Sequence, residues 1–395
     1  MTPPAPEDAA VHLAPTARQR RLRAELRSYF REVMRGTDPH DAAARRALLR
    51  RIGGDGVLGL GWPVEYGGQG RGADEQFVFF DEAYRAGAPV SMVTLNTVGP
   101  TLMKYGTPAQ KDYFLPRILR GECVFAIGYT EPSAGTDLAS LRTRAVREGD
   151  EWAVDGQKVF TSNAQHADWI WLACRTDPDA PKHRGISIVL VPTDAPGFSW
   201  TPIETVGGLT TTTTYYDGVR VPAGNLVGPE HGGWGLITNQ LNHERVALAA
   251  IGMQAEDCYD QVLAYAATPD PATGERPADR PWVRARLAEA HARLAAVRLL
   301  NWRLVGDVGA GTLAPGDASG VKFMGTESAV AVYRMCQEIA GPAGMVRSGS
   351  VGVWGDGELE RMNRAAQINT FGGGVSEVQR EIVATTRLGM PRGRR

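Results

Sequence analysis

Between Leu236 and Tyr265 the residues Ile237, Leu241, Leu248, Ile251 and Ala255 recur at the three-and-four spacing of one helix face, and Glu244 falls on the same line. An ionised carboxylate in a burial stripe must find a partner or shift its pKa. Glu244 therefore reads either as half of a structural ion pair or as a tuned acid/base. Two glycine-rich stretches are the other places where chemistry can sit. Gly128-Tyr-Thr-Glu-Pro-Ser-Ala-Gly-Thr-Asp137 gathers small residues, hydroxyls and backbone N–H groups, which suits close approach by an anionic or flat polar cofactor and equally suits a plain turn. Gly372-Gly-Gly-Val-Ser-Glu-Val-Gln379 sets Ser376 three residues before Gln379, the spacing of a capping box. A helix start with unpaired N–H groups beside a triple glycine is expected there, able to hold a phosphate or a carbonyl oxygen, or simply to begin a helix.

These stretches need elements to position them. From about Thr16 to Arg120 the texture is helical: Leu22, Leu26 and Tyr29 form one stripe, with further helices predicted over Ala42–Ile52, Phe77–Tyr84 and Pro108–Leu119. Trp62–Gly70 is too rich in glycine for a helix and reads as a loop. From Cys123 to about Gly228 β-branched and aromatic residues dominate. Trp152–Phe160 reads as two short strands joined by a tight turn at Asp155-Gly156. Strands are also predicted at Asp168–Arg175, Gly185–Pro192 and Thr214–Val221, the last with its own Asp-Gly turn, and Thr210–Thr214 reads as a loop. After Gly235 the chain is helical again, with a break over Pro269–Pro281 and helices predicted over Val283–Val305 and Ala318–Ile339. Three domains are expected, 1–122 helical, 123–234 β and 235–395 helical, sharing one cleft.

Composition narrows the partners. With 43 basic and 44 acidic residues the net charge is −1, which argues against nucleic acid and anionic membrane surfaces. The four cysteines are far apart and the seven histidines scattered, so no disulfide framework and no metal site are expected. No apolar run approaches the ~20 residues that span a bilayer, and a cytoplasmic protein is expected.

The order of Thr-Glu-Pro-x-Ala-Gly-Thr-Asp, Asp-Gly-Gln-Lys, Ser-Asn and Val-Pro-Thr-Asp-x-Pro-Gly between Gly128 and Gly197 resembles the FAD-dependent acyl-CoA dehydrogenases. The resemblance extends to Glu65-Tyr-Gly-Gly-Gln-Gly70, Asn242-His-Glu-Arg-Val-Ala-Leu-Ala249 and Ser376-Glu-Val-Gln-Arg380. It implies an α+β multidomain fold: an N-terminal helical domain, a central β-barrel or sandwich domain and a C-terminal four-helix bundle. It further implies that Tyr129, Thr130, Gly135 and Thr136 hold the flavin and its pyrophosphate. Phe160 would lie against the isoalloxazine and Ser162 bond near N5, two residues apart on one side of a strand. Gln337, Gly341 and Glu377 fall to the dinucleotide, and Thr136 and Arg245 to the substrate. The reaction implied is α,β-desaturation of an acyl-CoA thioester, with electron-transfer flavoprotein as acceptor and a homotetramer or heterotetramer as assembly.

Most members carry the base in the C-terminal loop, at the position of Gly373, where this chain keeps only a backbone N–H for the thioester oxygen. A minority, of isovaleryl and long-chain type, place a glutamate immediately before an arginine on the adjacent helix, which is the arrangement of Glu244-Arg245. That reading makes Glu244 the base and favours a branched or bulky acyl group. The usual Arg-x-x-Phe-Gly motif is missing from Thr273–Trp282, and the Gln-and-Gly motif is altered at Gly341-Pro-Ala-Gly344. A modified interface follows, with a related chain as the candidate partner. Two alternatives stand beside dehydrogenation: an oxidase or monooxygenase on the same fold, and a non-catalytic partner subunit.

Overall fold

The computed structural model describes residues 15–38, 41–238, 240 and 253–391. Thr16 and Gln19 cap each other reciprocally to open α1 (Ala17–Val33), which buries Leu22, Leu26, Phe30 and Val33. Asp41 caps α2 (Ala42–Gly54), and Thr107 with Gln110 opens α5 (Pro108–Leu119), with Pro108 in its first turn. Between them lie α3 (Ala73–Arg85) and α4 (Gly99–Tyr105). α3 is buried on nearly every side, so its acids Glu75, Asp81 and Glu82 must be paired internally. Arg18 reaches Glu75 at 2.7 Å, Arg27 reaches Glu82 at 2.9 Å, and Arg23 joins Asp81 and Glu82. Four arginine-to-acid contacts thus bind α1 to α3.

The central sheet has eight strands: β1 (Phe125–Gly128), β2 (Arg144–Glu148), β3 (Glu151–Lys158), β4 (Trp169–Arg175), β5 (Ile186–Pro192), β6 (Phe198–Glu204), β7 (Thr210–Pro222) and β8 (Leu226–Val227). Their order is β6-β7-β3-β2-β4-β5-β8, with β1 parallel to β4. β4 and β5 read as unbroken apolar runs because both faces are covered: Trp171, Ala173, Ile188 and Leu190 join the core shared with the N-terminal helices, while Ile170, Leu172, Val189 and Val191 fill the interior of the β domain.

Three local expectations are corrected here. Asp155-Gly156 is no hairpin turn but lies inside the continuous strand β3, opposite a bulge in β7: the register shifts between Val154 and Gly156, and two residues of β7 face the single Asp155. Gly156 takes φ +143°, and a Cβ there would sit 2.8 Å from the Thr143 Cα. The second Asp-Gly pair, Asp217-Gly218, lies opposite it within β7, and Asp155 Oδ1 accepts from Gly218 N at 2.8 Å. The real tight turn falls at Gly149-Asp150, between β2 and β3. Thr210–Thr214 is likewise not a loop: it pairs with β6 from Glu204 to Trp200.

The C-terminal region opens with a helical run at 233–238 and continues with α6 (Ala255–Ala267), α7 (Pro281–Gly309), α8 (Pro315–Ala340), α9 (Glu358–Ala366) and α10 (Ser376–Thr386). Of the helix expected over 236–265, residues 239 and 241–252 lie outside the described residues, and Met253 and Gln254 form a turn before α6 begins. Val262, Leu287, Leu294, Val332, Tyr333 and Leu359 share a core belonging to this domain alone. The domains are stitched at named points. Phe77 meets Trp302 edge-on at 5.2 Å, Arg46 pairs with Asp168 at 2.7 Å, and Gln110 Nε2 donates to the carbonyls of Gly224 and Leu226 at 2.8 Å each. Arg85, at the end of α3, pairs with Asp81 and Glu256 at 2.7 Å, with Asp257, and donates to Met253 O at 3.0 Å. Among the described residues no helix is long and apolar enough to cross a membrane.

Candidate active site

β1 runs directly into the first glycine-rich stretch. Thr130 O accepts from Val159 N at 2.8 Å and Tyr129 O accepts from Lys158 Nζ at 3.0 Å, so this loop is tied to the end of β3. Glu131 and Ala134 close a small turn through reciprocal backbone bonds of 3.0 and 3.1 Å. Beneath it the Glu131 carboxylate accepts from Arg142 N and Thr143 N, both at 2.7 Å, and from Lys158 Nζ at 2.8 Å. Burial works to raise this carboxyl; the Lys158 ammonium and the Thr143 donors outweigh it and hold the group below the usual carboxylate range. The loop is thereby pinned from inside. Gly135 and Thr136 are left exposed at its rim, and a Cβ built on Gly135 would meet nothing within 4 Å.

Phe160 and Ser162 are both exposed, but they do not lie on a strand. β3 ends at Lys158, and Phe160 takes φ +59°. Buried Thr161 anchors the turn between them, its N–H donating to Thr212 O at 2.9 Å, and Ser162 Oγ stands 3.1 Å from Thr211 Oγ1. A left-handed phenylalanine is strained, and its ring is 60% exposed. Strain and exposure of a large aromatic together fit a flat ring system that would cover it. Tyr129 Oη accepts from Trp171 Nε1 at 3.2 Å and donates to Gln240 Oε1. Gln240 is 2% exposed, and its Nε2 has no partner among the described residues.

The second glycine-rich stretch belongs to the helical domain. The expected capping box does not form: Val375 is the N-cap, Ser376 is already in the helix, and Ser376 Oγ donates to Thr370 O at 3.1 Å. Gly373 and Gly374 take φ +66° and +104°, and Lys322 Nζ donates to Gly374 O at 2.6 Å. Glu377 is exposed in the first turn of α10. Gln337 and Gly341 stand apart from the β-domain cluster, at the end of α8, where Gln337 Nε2 donates to Gly344 O at 3.1 Å. Glu244 and Arg245 lie outside the described residues. The structure therefore gathers Tyr129, Thr130, Gly135, Thr136, Phe160 and Ser162, and keeps Gln337, Gly341, Gly373 and Glu377 on the helical domain.

Three family models match in succession: the acyl-CoA dehydrogenase N-terminal domain over residues 16–122, the middle domain over 126–219 and the C-terminal domain over 231–388. The acyl-CoA dehydrogenase FadE26 of Mycobacterium tuberculosis is 48% identical over 402 aligned residues, covering 98% of this chain and all of that one. The chain belongs to the acyl-CoA dehydrogenase family. Like other acyl-CoA dehydrogenases it is an FAD-dependent oxidoreductase that dehydrogenates acyl-CoA thioesters. Two solved structures superpose closely. The Tcur3481-Tcur3483 steroid ACAD matches with a TM-score of 0.92 and 53% identity, covering 96% of this chain and 100% of that one. A chain of the ChsE4-ChsE5 complex from Mycobacterium tuberculosis gives 0.90 and 50%, covering 96% and 99%.

Sequence reasoning overlooked Glu131 and Lys158 as a pair, Gln240 and Lys322. One signal was available for Lys158: it shares strand parity with the buried Trp152 and Val154.

Proposed function

We propose that this acyl-CoA dehydrogenase uses Glu244 as its base and acts on a bulky, polycyclic acyl group. The carrying observation is Gly373 itself. Position 373, where most members carry the base, is a glycine with φ +66° and has no side chain to take a proton, so the base belongs elsewhere. Glu244, immediately before Arg245, is the family's other location for it. In this reading the Glu244 carboxylate takes the Cα proton as the Cα–Cβ double bond forms, and the Gly373 N–H donates to the thioester oxygen, where negative charge develops. FAD, when bound, supplies the acceptor for the Cβ hydride. Tyr129, Thr130, Gly135 and Thr136 hold it, Phe160 covers it and Ser162 bonds to it; Thr136 and Arg245 orient the substrate.

The bulky acyl group is supported by the relative described as a steroid ACAD at 53% identity. Assembly with a related chain is supported by two relatives solved as pairs of differently named chains, and by the altered sequence at Thr273–Trp282 and Gly341–Gly344. Gln337, Gly341 and Glu377 would then meet a dinucleotide held across that interface. We also propose electron-transfer flavoprotein as the acceptor, a cytoplasmic location, and domain limits at 122/123 and 234/235.

A panel of linear, branched and steroid-bearing acyl-CoA thioesters, scored anaerobically by flavin bleaching, tests the substrate. Bleaching fastest with linear chains would reject the bulky acyl group. On the best substrate Glu244→Gln is expected to keep its FAD and lose about 10²–10⁴-fold in turnover; undiminished turnover removes Glu244 from the mechanism. A homotetramer with one FAD per chain would reject pairing with a second chain.

A further inference from the structure

We propose that Lys322 is a positioning residue for the reaction: through the Gly374 carbonyl it fixes the glycine turn that presents the Gly373 N–H. This rests on the reading of Gly373 as donor to the thioester oxygen. Lys322 sits within α8, is 8% exposed, and sends its ammonium 2.6 Å to Gly374 O. A buried lysine is unusual, since burial disfavours its charged form. Here burial lowers the Lys322 pKa, while Glu327 on α8 and Glu377 on α10 work to raise it; Glu327 is itself engaged by Arg380 at 2.6 Å.

The turn needs such a strut. Gly372, Gly373 and Gly374 carry the largest backbone freedom a chain can have, so their geometry must be imposed from outside. At one end Gly372 N donates to Ile368 O at 2.7 Å, and at the other Gln379 N donates to Val375 O at 3.0 Å. Between these anchors the Lys322 bond holds the Gly374 carbonyl, and a charge-assisted bond is about twice as strong as a neutral one. Among the described residues no hydrogen bond takes the Gly373 N–H. A donor misplaced by about 1 Å can cost ~10²-fold in rate.

The test compares Lys322→Met, which keeps the apolar stem, with the conservative Lys322→Arg in the FAD-loaded assembly, using the panel's best acyl-CoA. For Lys322→Met the expected result is full FAD content, KM within about twofold, and kcat reduced roughly ten- to a hundredfold. Amide hydrogen exchange in peptides spanning 368–376 is expected to accelerate about tenfold or more, the size of one lost charged hydrogen bond. Lys322→Arg is expected to restore most of both. Unchanged exchange would show that Lys322 does not hold the turn. Faster exchange with unchanged kcat would instead defeat the Gly373 donor reading, and the proposal with it. Should the Met variant fail to fold, Lys322→Gln, a neutral donor, takes its place, and wild-type kcat and exchange in that variant overturn the proposal.

Discussion

Lys158 Nζ lies 2.8 Å from Glu131 Oε1, with both side chains buried directly beneath the loop that carries Tyr129, Thr130, Gly135 and Thr136. This contact makes the loop a rigid continuation of β3. Without the ammonium, the Glu131 carboxylate would be a buried charge supported only by backbone N–H groups. Lys158→Met should therefore cost about 3–5 kcal/mol of stability, whereas Glu131→Gln combined with Lys158→Met should recover most of it. Denaturant unfolding of the two single variants, Lys158→Met and Glu131→Gln, and of the double variant checks this; additive losses in the double variant would deny the coupling.

The same pair sets an acid limit. A Glu131 pKa held below its unfolded value contributes stability that is complete above about pH 4.3 and drains as the pH falls through the lower folded value. Unfolding free energies of the wild type should thus fall between about pH 5 and pH 3 more steeply than those of the double variant. Parallel slopes would mean that another carboxyl governs acid unfolding.

Arg85 satisfies acids on two domains at once. Removing it leaves Asp81 with Arg23 alone and deprives Glu256, Asp257 and Met253 O of a shared donor. Arg85→Ala should destabilise by about 3–5 kcal/mol, and Arg85→Lys by less, since a lysine replaces the charge without the forked geometry. Thermal unfolding midpoints rank the three proteins, and equal midpoints for the two variants would reduce Arg85 to a simple charge.

At the bulge, Gly156→Ala forces a side chain into φ +143° and against the Thr143 Cα. A loss of about 1–3 kcal/mol is expected, with β3 and β7 loosened around it. Hydrogen exchange at Gln157 and Lys158 reports that loosening, and native-like exchange would show that the strand absorbs the methyl group.

Much of this was legible in the chain. Leu22 and Leu26 repeat with the helix period, and the β4 and β5 runs are long and apolar enough to be strands in any context. What escaped depended on partners distant in sequence. Thr210–Thr214 is polar and becomes a strand only because β6 lies alongside it, and Asp155-Gly156 stays within a strand because β7 pairs with β3 on both sides of it and takes up the extra residue at Asp217-Gly218. The Ser376–Gln379 spacing met the rule for a cap, yet the helix starts at Ser376 itself. At the site, the glycine- and hydroxyl-rich loop was visible in the residues. Its Glu131–Lys158 support was legible only in part: strand parity marks Lys158 as inward-facing, but its partner Glu131 stands 27 residues away in the chain and nothing local joins the two.

The Arg85 contacts also bear on how the chain is made. Arginines of α1 neutralise the acids of α3 within the first domain, so that pairing is available as soon as α3 leaves the ribosome. Arg85 must wait for Asp257, 172 residues later, an interval of about 10–30 s at ordinary translation rates. Throughout that time Asp81 is its one partner from this set. The emergence of α6 is therefore the event that supplies Arg85 with Glu256 and Asp257 and fastens the first domain to the last.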